Sequence, residues 1–374
     1  MISAKLTAYA KQKFAAQLPY LQGIREELDA ALRESGAEEA VLLRLFYGTM
    51  PLSDAGAYSP EIFLSYIRHA LFLRRELPRC AALPEDLFVR DVLYYRVNSE
   101  KIEDCRAFFW RELSERIRGL CMHDAVLEIN YWAAEHVSYR ASDARTLSPL
   151  AVWRSGDGRC GEESAFVVHA LRACGIPARQ IYVPRWAHCD DNHAWVEAYV
   201  DGDWHYLGAC EPEAVLDRGW FDGAASRALL IHAREFCDYG LTDGPGEADS
   251  VKAAGTGLPE HCLSPERANQ SPGPERDSGS ELPEGADQVI GREGAAILLN
   301  RTAAYADTCA LRILVQERSG APVPGAQIRV EILNMAEFCP CALLSGNARG
   351  EALLRTGLGG FRLSARNPEN GACA

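Results

Sequence analysis

Between about Leu241 and Gly291 the sequence stops offering anything to bury. The stretch SPERANQSPGPERDSGSELPEGAD is built from Gly, Pro, Ser, Glu and Asp with few large apolar residues. Ordering such a chain costs on the order of 1–2 kcal/mol per residue, which so little apolar surface does not offset. The spacing predicts a disordered acidic linker over 241–291, with separate patterns on either side of it. Before it, residues 1–140 read as helical: PEIFLSYIRHALFLRREL and CRAFFWRELSERIRGL place apolar residues three and four apart, and prolines 51, 60, 78, 84 and 149 punctuate them. DAVLEINYWAAEHVSY continues that period, with Asp124 as a candidate N-cap. Residues 141–240 mix one helix with short β-patterned runs. After the linker, residues 292–374 alternate apolar and polar in CALRILVQE and AQIRVEIL, with turn signals at Ser319-Gly320 and from Pro322 to Gly325. The expectation is an α+β chain: a helical N-terminal region, a mixed core and a small antiparallel β-sandwich.

A net charge of -13 on 374 residues argues against chemistry that depends on gripping nucleic acid phosphates, which needs a basic face, and no long basic run is present. No run approaches the ~18 apolar residues needed to span a bilayer. The opening segment is interrupted by Lys5, Lys11 and Lys13 and lacks the apolar run of a signal peptide. A cytoplasmic protein with no membrane partner is therefore expected. The thirteen cysteines are scattered along the chain and read as reduced thiols. Cys339 and Cys341 form one close pair with no second pair to complete a zinc site.

The chemistry concentrates in RSGDGRCGEESAFVVHALRACGIPARQIYV. Gly156, Gly158 and Gly161 allow a tight turn that delivers Cys160 onto the start of a helix, which ends near Ala173 with Gly175 and Pro177 beyond it. A helix N-terminus favours a thiolate, and Glu162 and Glu163 suit the same positive end. The second block is NHAWVEAYVDGDWHYL. Its alternation marks a strand with His193, Trp195, Glu197 and Tyr199 on one face, and Asp201-Gly202 is a two-residue hairpin turn. Counting outward from the turn pairs Tyr199 with Trp204, Trp195 with Gly208 and His193 with Cys210. A histidine at the start of a strand facing a cysteine on a helix tip is the general-base arrangement of thiol acyl transfer.

GRCGEESAFVVHALRACGIPAR followed by NHAWVEAYVDGDWHYLGACEPE resembles the core of the transglutaminase-like superfamily, with the peptide N-glycanases as near relatives through GRCGE and CE. The resemblance covers roughly Leu147 to Cys210. It implies a papain-like α+β fold, a Cys-His-Asp triad and cleavage of amide bonds through a thioester, with Cys160 as nucleophile and His193 as base. It implies no cofactor. The family's aspartate follows the tryptophan of the return strand by four residues, and here Trp204 leads to Gly208, which carries no side chain. Glu211 and Glu213 in GACEPE are the nearest later carboxylates, and a bulge at Gly208 would swing Glu211 toward His193. Glu211 is therefore the candidate third residue; a neutral group or water is the alternative. The C-terminal part, with AQIRVEIL and GEALLRTGLGGFRLSA, resembles carboxypeptidase-regulatory or transthyretin-like β-sandwiches, which implies a binding or packing accessory.

Competing readings accompany these. A cysteine before a helix is commonly a small core residue, and Cys105, Cys121 and Cys174 are read that way. HCDDNH gathers His188, Cys189, Asp190, Asp191 and His193, donors for zinc or iron, or else the polar rim of a cleft. Trp153, Trp186 and Trp195 line the cleft or simply pack. Asn130, Tyr131 and Trp132 on the preceding helix, and Asp143, Arg145 and Thr146, are candidates to brace the active-site loop. Two functions follow. One is a cysteine protease or amidase acting on a protein or peptide, with peptide deglycosylation as a narrower form. The other is a degenerate scaffold, short of its aspartate, that binds protein or glycan.

Overall fold

A computed structural model describes residues 2–141, 146–241 and 288–373. Asp143, Arg145 and the linker stretch 242–287 lie outside the described residues. The chain is α+β, as the alternating patterns predict.

The helices of the N-terminal region, among them Ala37–Thr49, Pro60–Glu76, Arg106–Leu113 and α1 (Met122–His136), surround an aromatic centre. Phe46, Phe63 and Tyr95 meet edge to face with centroids 4.9–6.4 Å apart, the packing that the ring quadrupoles favour. Each buried ring contributes roughly 1.5–3 kcal/mol. Asp124 lies in the first turn of α1 rather than at its cap, and its N–H meets the Cys121 sulfur at 3.4 Å. Helix α2 (Cys160–Ala173) is buried almost throughout and packs against the central sheet.

That sheet has six antiparallel strands: β1 (Ala178–Val183), β2 (His193–Val200), β3 (Asp203–Leu207), β4 (His232–Glu235), β5 (Gln288–Glu293) and β6 (Ala296–Asn300), in the spatial order β3-β2-β1-β4-β6-β5. Val196, Ala198 and Val200 pack with α2, while Trp195 belongs to a second cluster with Trp186, Phe221, Ile231 and Leu299. The turn between β2 and β3 is the two-residue loop read from Asp201-Gly202, with positive φ at both residues, and Tyr199 pairs with Trp204. The ladder ends at Val196–Leu207, so the pairs counted further out, Trp195 with Gly208 and His193 with Cys210, do not form.

Strands β5 and β6 hydrogen-bond into this sheet. The sequence bounds put 288–291 in the linker and 292–300 in the β-sandwich; the strands join the central sheet instead, and alternation does not show it because β6 is covered on both faces, Ile297 and Leu299 facing the tryptophan cluster and Leu298 the C-terminal core. The remaining strands, β7 (Thr308–Leu314), β8 (Gln327–Asn334), β9 (Glu337–Ser345), β10 (Glu351–Gly357) and β11 (Arg362–Arg366), form a three-stranded sheet β9-β8-β11 and a pair β10-β7. Ile328, Val330, Ile332 and Leu344 of the first share a core with Ile313 and Leu354 of the second. Among the described residues no helix is long and apolar enough to cross a membrane.

Candidate active site

The turn that carries Cys160 is fixed from three sides. Glu162 accepts the N–H of Arg159 through Oε2 (3.0 Å) and that of Leu147 through Oε1 (2.8 Å), so it caps its own helix and ties down the preceding loop. Gln180 on β1 donates to Gly161 O (3.0 Å) and Ser164 Oγ (2.7 Å), and is held by Asn98 (2.8 Å). Asp157 and Gly158 pair with Ser138 and Tyr139. A Cβ on Gly158 would lie 3.1 Å from Glu162 Cβ, which explains the glycine.

Cys160 is half-buried at the first position of α2. Burial raises its thiol pKa; the backbone N–H groups of Ala194 and Gly161 and the Arg159 charge pull it down, and Glu163 pushes it up again. The balance is an elevated pKa, so the thiol is protonated at neutral pH. Ala194 immediately follows His193, so the sulfur meets β2 one residue from the imidazole. Among the described residues no hydrogen bond joins the two side chains.

His193 opens β2 opposite Val183 and is enclosed by rings: Trp220 at 4.8 Å between centroids, Phe221 at 5.1 Å, Trp195 at 5.8 Å and Trp186 at 6.4 Å. Burial drives its pKa down to about 4 against the upward pull of Asp191, and the ring is neutral at pH 7. Its Nε2 is buried and has no hydrogen-bond partner.

After Leu207 the chain turns away under the control of Asn130 on α1, which donates to Gly208 O (2.8 Å) and accepts the N–H of Cys210 (2.9 Å). Asn130 thus braces the 208–210 turn, while beside Cys160 it is Thr146 that accepts from Arg159 Nη2 (3.0 Å). Cys210 adopts φ 58°, left-handed backbone that a cysteine rarely takes. The turn folds Glu211 back over Gly208. Its Oε2 accepts the indole N–H of Trp220 at 2.8 Å, so the carboxylate reaches the ring that covers His193 rather than His193 itself. Burial raises the Glu211 pKa and the Trp220 bond lowers it. Glu163 faces the same space: burial, then the charge of Glu211, lifts it to about 8.

The other polar positions nearby have structural partners. Glu197 accepts from Arg179 (2.9 Å), Arg301 Nη2 (3.1 Å) and Tyr305 (2.7 Å), and Tyr305 accepts the Trp195 indole N–H (3.0 Å). Trp153 stacks on Trp132 at 5.1 Å, within the helical core. Asp190 accepts the Met335 N–H at 2.6 Å, and among the described residues no group of three His, Cys, Asp or Glu side chains is placed to hold a metal ion. Cys341 donates to Val330 O at 3.3 Å. A second cysteine–histidine–carboxylate line runs from Cys105 Sγ to His169 Nδ1 (3.6 Å) and from His169 Nε2 to Glu100 (3.1 Å), but all three are sealed in the core and burial raises the Cys105 thiol to about 11.

Residues 111–209 match the family model of the transglutaminase-like superfamily. This segment is similar to a transglutaminase-like core. Among solved structures, the chain is similar to a "putative cysteine protease" from Cytophaga hutchinsonii, at 22% identity and a TM-score of 0.29, covering 37% of this chain and 47% of the other, so it spans less than half of that protein's length. Comparison with curated proteins gave no match. Trp220, Phe221 and Glu163 were not singled out as site residues by sequence spacing. The aromatic pair of GWFD lies beyond the last matching motif, and Glu163 was read only as a helix-end charge.

Proposed function

We propose that the chain is a thiol hydrolase of peptide or carboxamide bonds, acting on protein or peptide substrates in the cytoplasm. Cys160 Sγ attacks the carbonyl carbon while His193 takes the thiol proton; His193 then protonates the leaving nitrogen as the C–N bond breaks, and water releases the acid from the thioester. The backbone N–H of Gly161 stands beside the sulfur, where an oxyanion would form. The observation that supports this reading is that the backbone N–H groups of Ala194 and Gly161 both act on the Cys160 thiol, so the nucleophile at the start of α2 lies beside the residue that follows the base on β2. The unpaired cysteines among the described residues suit a reducing compartment.

A second reading, a scaffold retained for protein or glycan binding, is favoured by one observation: among the described residues the buried Nε2 of His193 has no hydrogen-bond partner. Iodoacetamide labelling separates the two. The hydrolase reading expects Cys160 to be alkylated faster than an exposed thiol such as Cys121, with the excess lost in His193→Ala; equal rates in all three cases would leave the scaffold. With peptide carboxamides, hydroxylamine should intercept the thioester as a hydroxamate that Cys160→Ala does not form.

A further inference from the structure

The loop 184–192, which leads into His193, is held by the C-terminal sheet. Asn334, at the end of β8, donates through Nδ2 to Cys189 O (2.9 Å) and Trp186 O (3.3 Å). One residue on, the N–H of Met335 donates to Asp190 Oδ1 at 2.6 Å. Met335 and Ala336 form the tip of the β8–β9 hairpin with φ 53° and 59°, the left-handed backbone of a two-residue turn. Asn334 is 4% exposed, so its bonds are shielded from water. The loop closes on itself through the Trp186 N–H to Asp191 O (3.0 Å). Trp186, gripped at its carbonyl, lays its ring at 25° to that of His193 and at 6° to that of Trp195.

We propose that Asn334 is a positioning residue for His193, acting through Trp186, and that the C-terminal sheet thereby completes the thiol site rather than accompanying it. Three hydrogen bonds join the hairpin tip to the nine-residue loop 184–192 that leads into the base, and no regular strand pairing holds that loop otherwise. Without them the loop keeps its internal bonds and the packing of Trp186 in the tryptophan cluster, but Trp186 loses the restraint at its carbonyl that sets its ring as one wall of the imidazole pocket. The consequence is local: water reaches the ring, and the imidazole moves toward its ordinary basicity.

This inference rests on His193 being the base, but its test reads the imidazole itself. In the full chain, the His193 titration is followed by NMR in wild type, Asn334→Ala and Asp190→Ala. Asp190 is exposed, so its truncation spares the fold even where loss of Asn334 does not. Both variants should shift the His193 midpoint upward by about one unit, toward the ordinary value near ~6.5, and should change the pH profile of Cys160 alkylation in parallel. Glu331→Gln, which weakens the buried pairing of Glu331 with Arg362 (2.8 Å) elsewhere in the same sheet, should leave the midpoint where it is. A His193 midpoint unmoved in both loop variants, or moved equally by Glu331→Gln, would overturn the proposal. A wild-type protein that never turns over a substrate would sink the hydrolase reading and leave this result standing.

Discussion

The Glu211 carboxylate occupies the space that a side chain on Gly208 would fill: a Cβ there would lie 2.7 Å from Glu211 Oε2. The missing side chain and the displaced acid are therefore alternatives for one volume. Gly208→Asp alone should clash and bring two carboxylates together, costing about 1–3 kcal/mol in thermal unfolding. The double change Gly208→Asp with Glu211→Ala clears the space, and its aspartate should raise the His193 pKa from about 4 by roughly one to two units, with faster alkylation of Cys160 at neutral pH. An unshifted imidazole in the NMR titration would mean that position 208 does not reach the ring.

Trp220 does two things at once, and two variants separate them. It is 65% exposed, yet its ring covers His193 and its indole N–H holds Glu211. Trp220→Phe keeps a ring and removes the donor, so the Glu211 pKa should climb further while His193 stays low. Trp220→Ala removes both, and His193 should rise as water enters. Parallel titrations of the two variants check this; identical His193 behaviour would mean that the ring's cover is not what depresses it.

Local pattern carried the nucleophile and failed at the loops. The glycine-framed start of α2 and the Asp201-Gly202 turn are legible because each is decided by a few consecutive residues, and the Tyr199–Trp204 register follows from the turn. The ladder's end is not legible: it depends on Asn130, 78 residues upstream of Gly208, pulling that residue out of line. Nor could a strand buried on both faces, such as β6, declare its sheet. Glu211 was found as a candidate by distance along the chain, but its partner Trp220 is set by a long loop whose path no periodicity encodes. Asn334 comes from the far side of the linker, where nothing in the sequence points back at His193.

Glu163 makes stability fall with pH. Its pKa rises from 4.5 to about 8 on folding because burial and the Glu211 charge disfavour the carboxylate. The folded state then holds a proton that the unfolded chain gives up, so the stabilisation is complete below ~4.5 and is lost as pH rises through about 8. Glu163→Gln removes this dependence. Chemical unfolding at pH 5 and pH 9 should show the wild type losing roughly 2–4 kcal/mol more than the variant across that interval. Equal losses would place the Glu163 carboxyl in water.

Asn130 controls the acid through the backbone alone. Its two hydrogen bonds to the 208–210 turn are buried and use both ends of the amide. Asn130→Ala should cost about 2–3 kcal/mol, since each lost bond also strands a backbone partner. Asn130→Asp keeps the acceptor for the Cys210 N–H but sets a charge against the Gly208 carbonyl, so it should destabilise more strongly. Because Cys210 holds a left-handed conformation only while the turn is clamped, either change lets the turn relax and swings Glu211 away from Trp220. The readout that distinguishes this from plain instability is the Trp220 indole N–H resonance at a temperature where the variant is folded. Its signal should move toward that of an indole in water, whereas an unchanged shift would show that Glu211 keeps its place without Asn130.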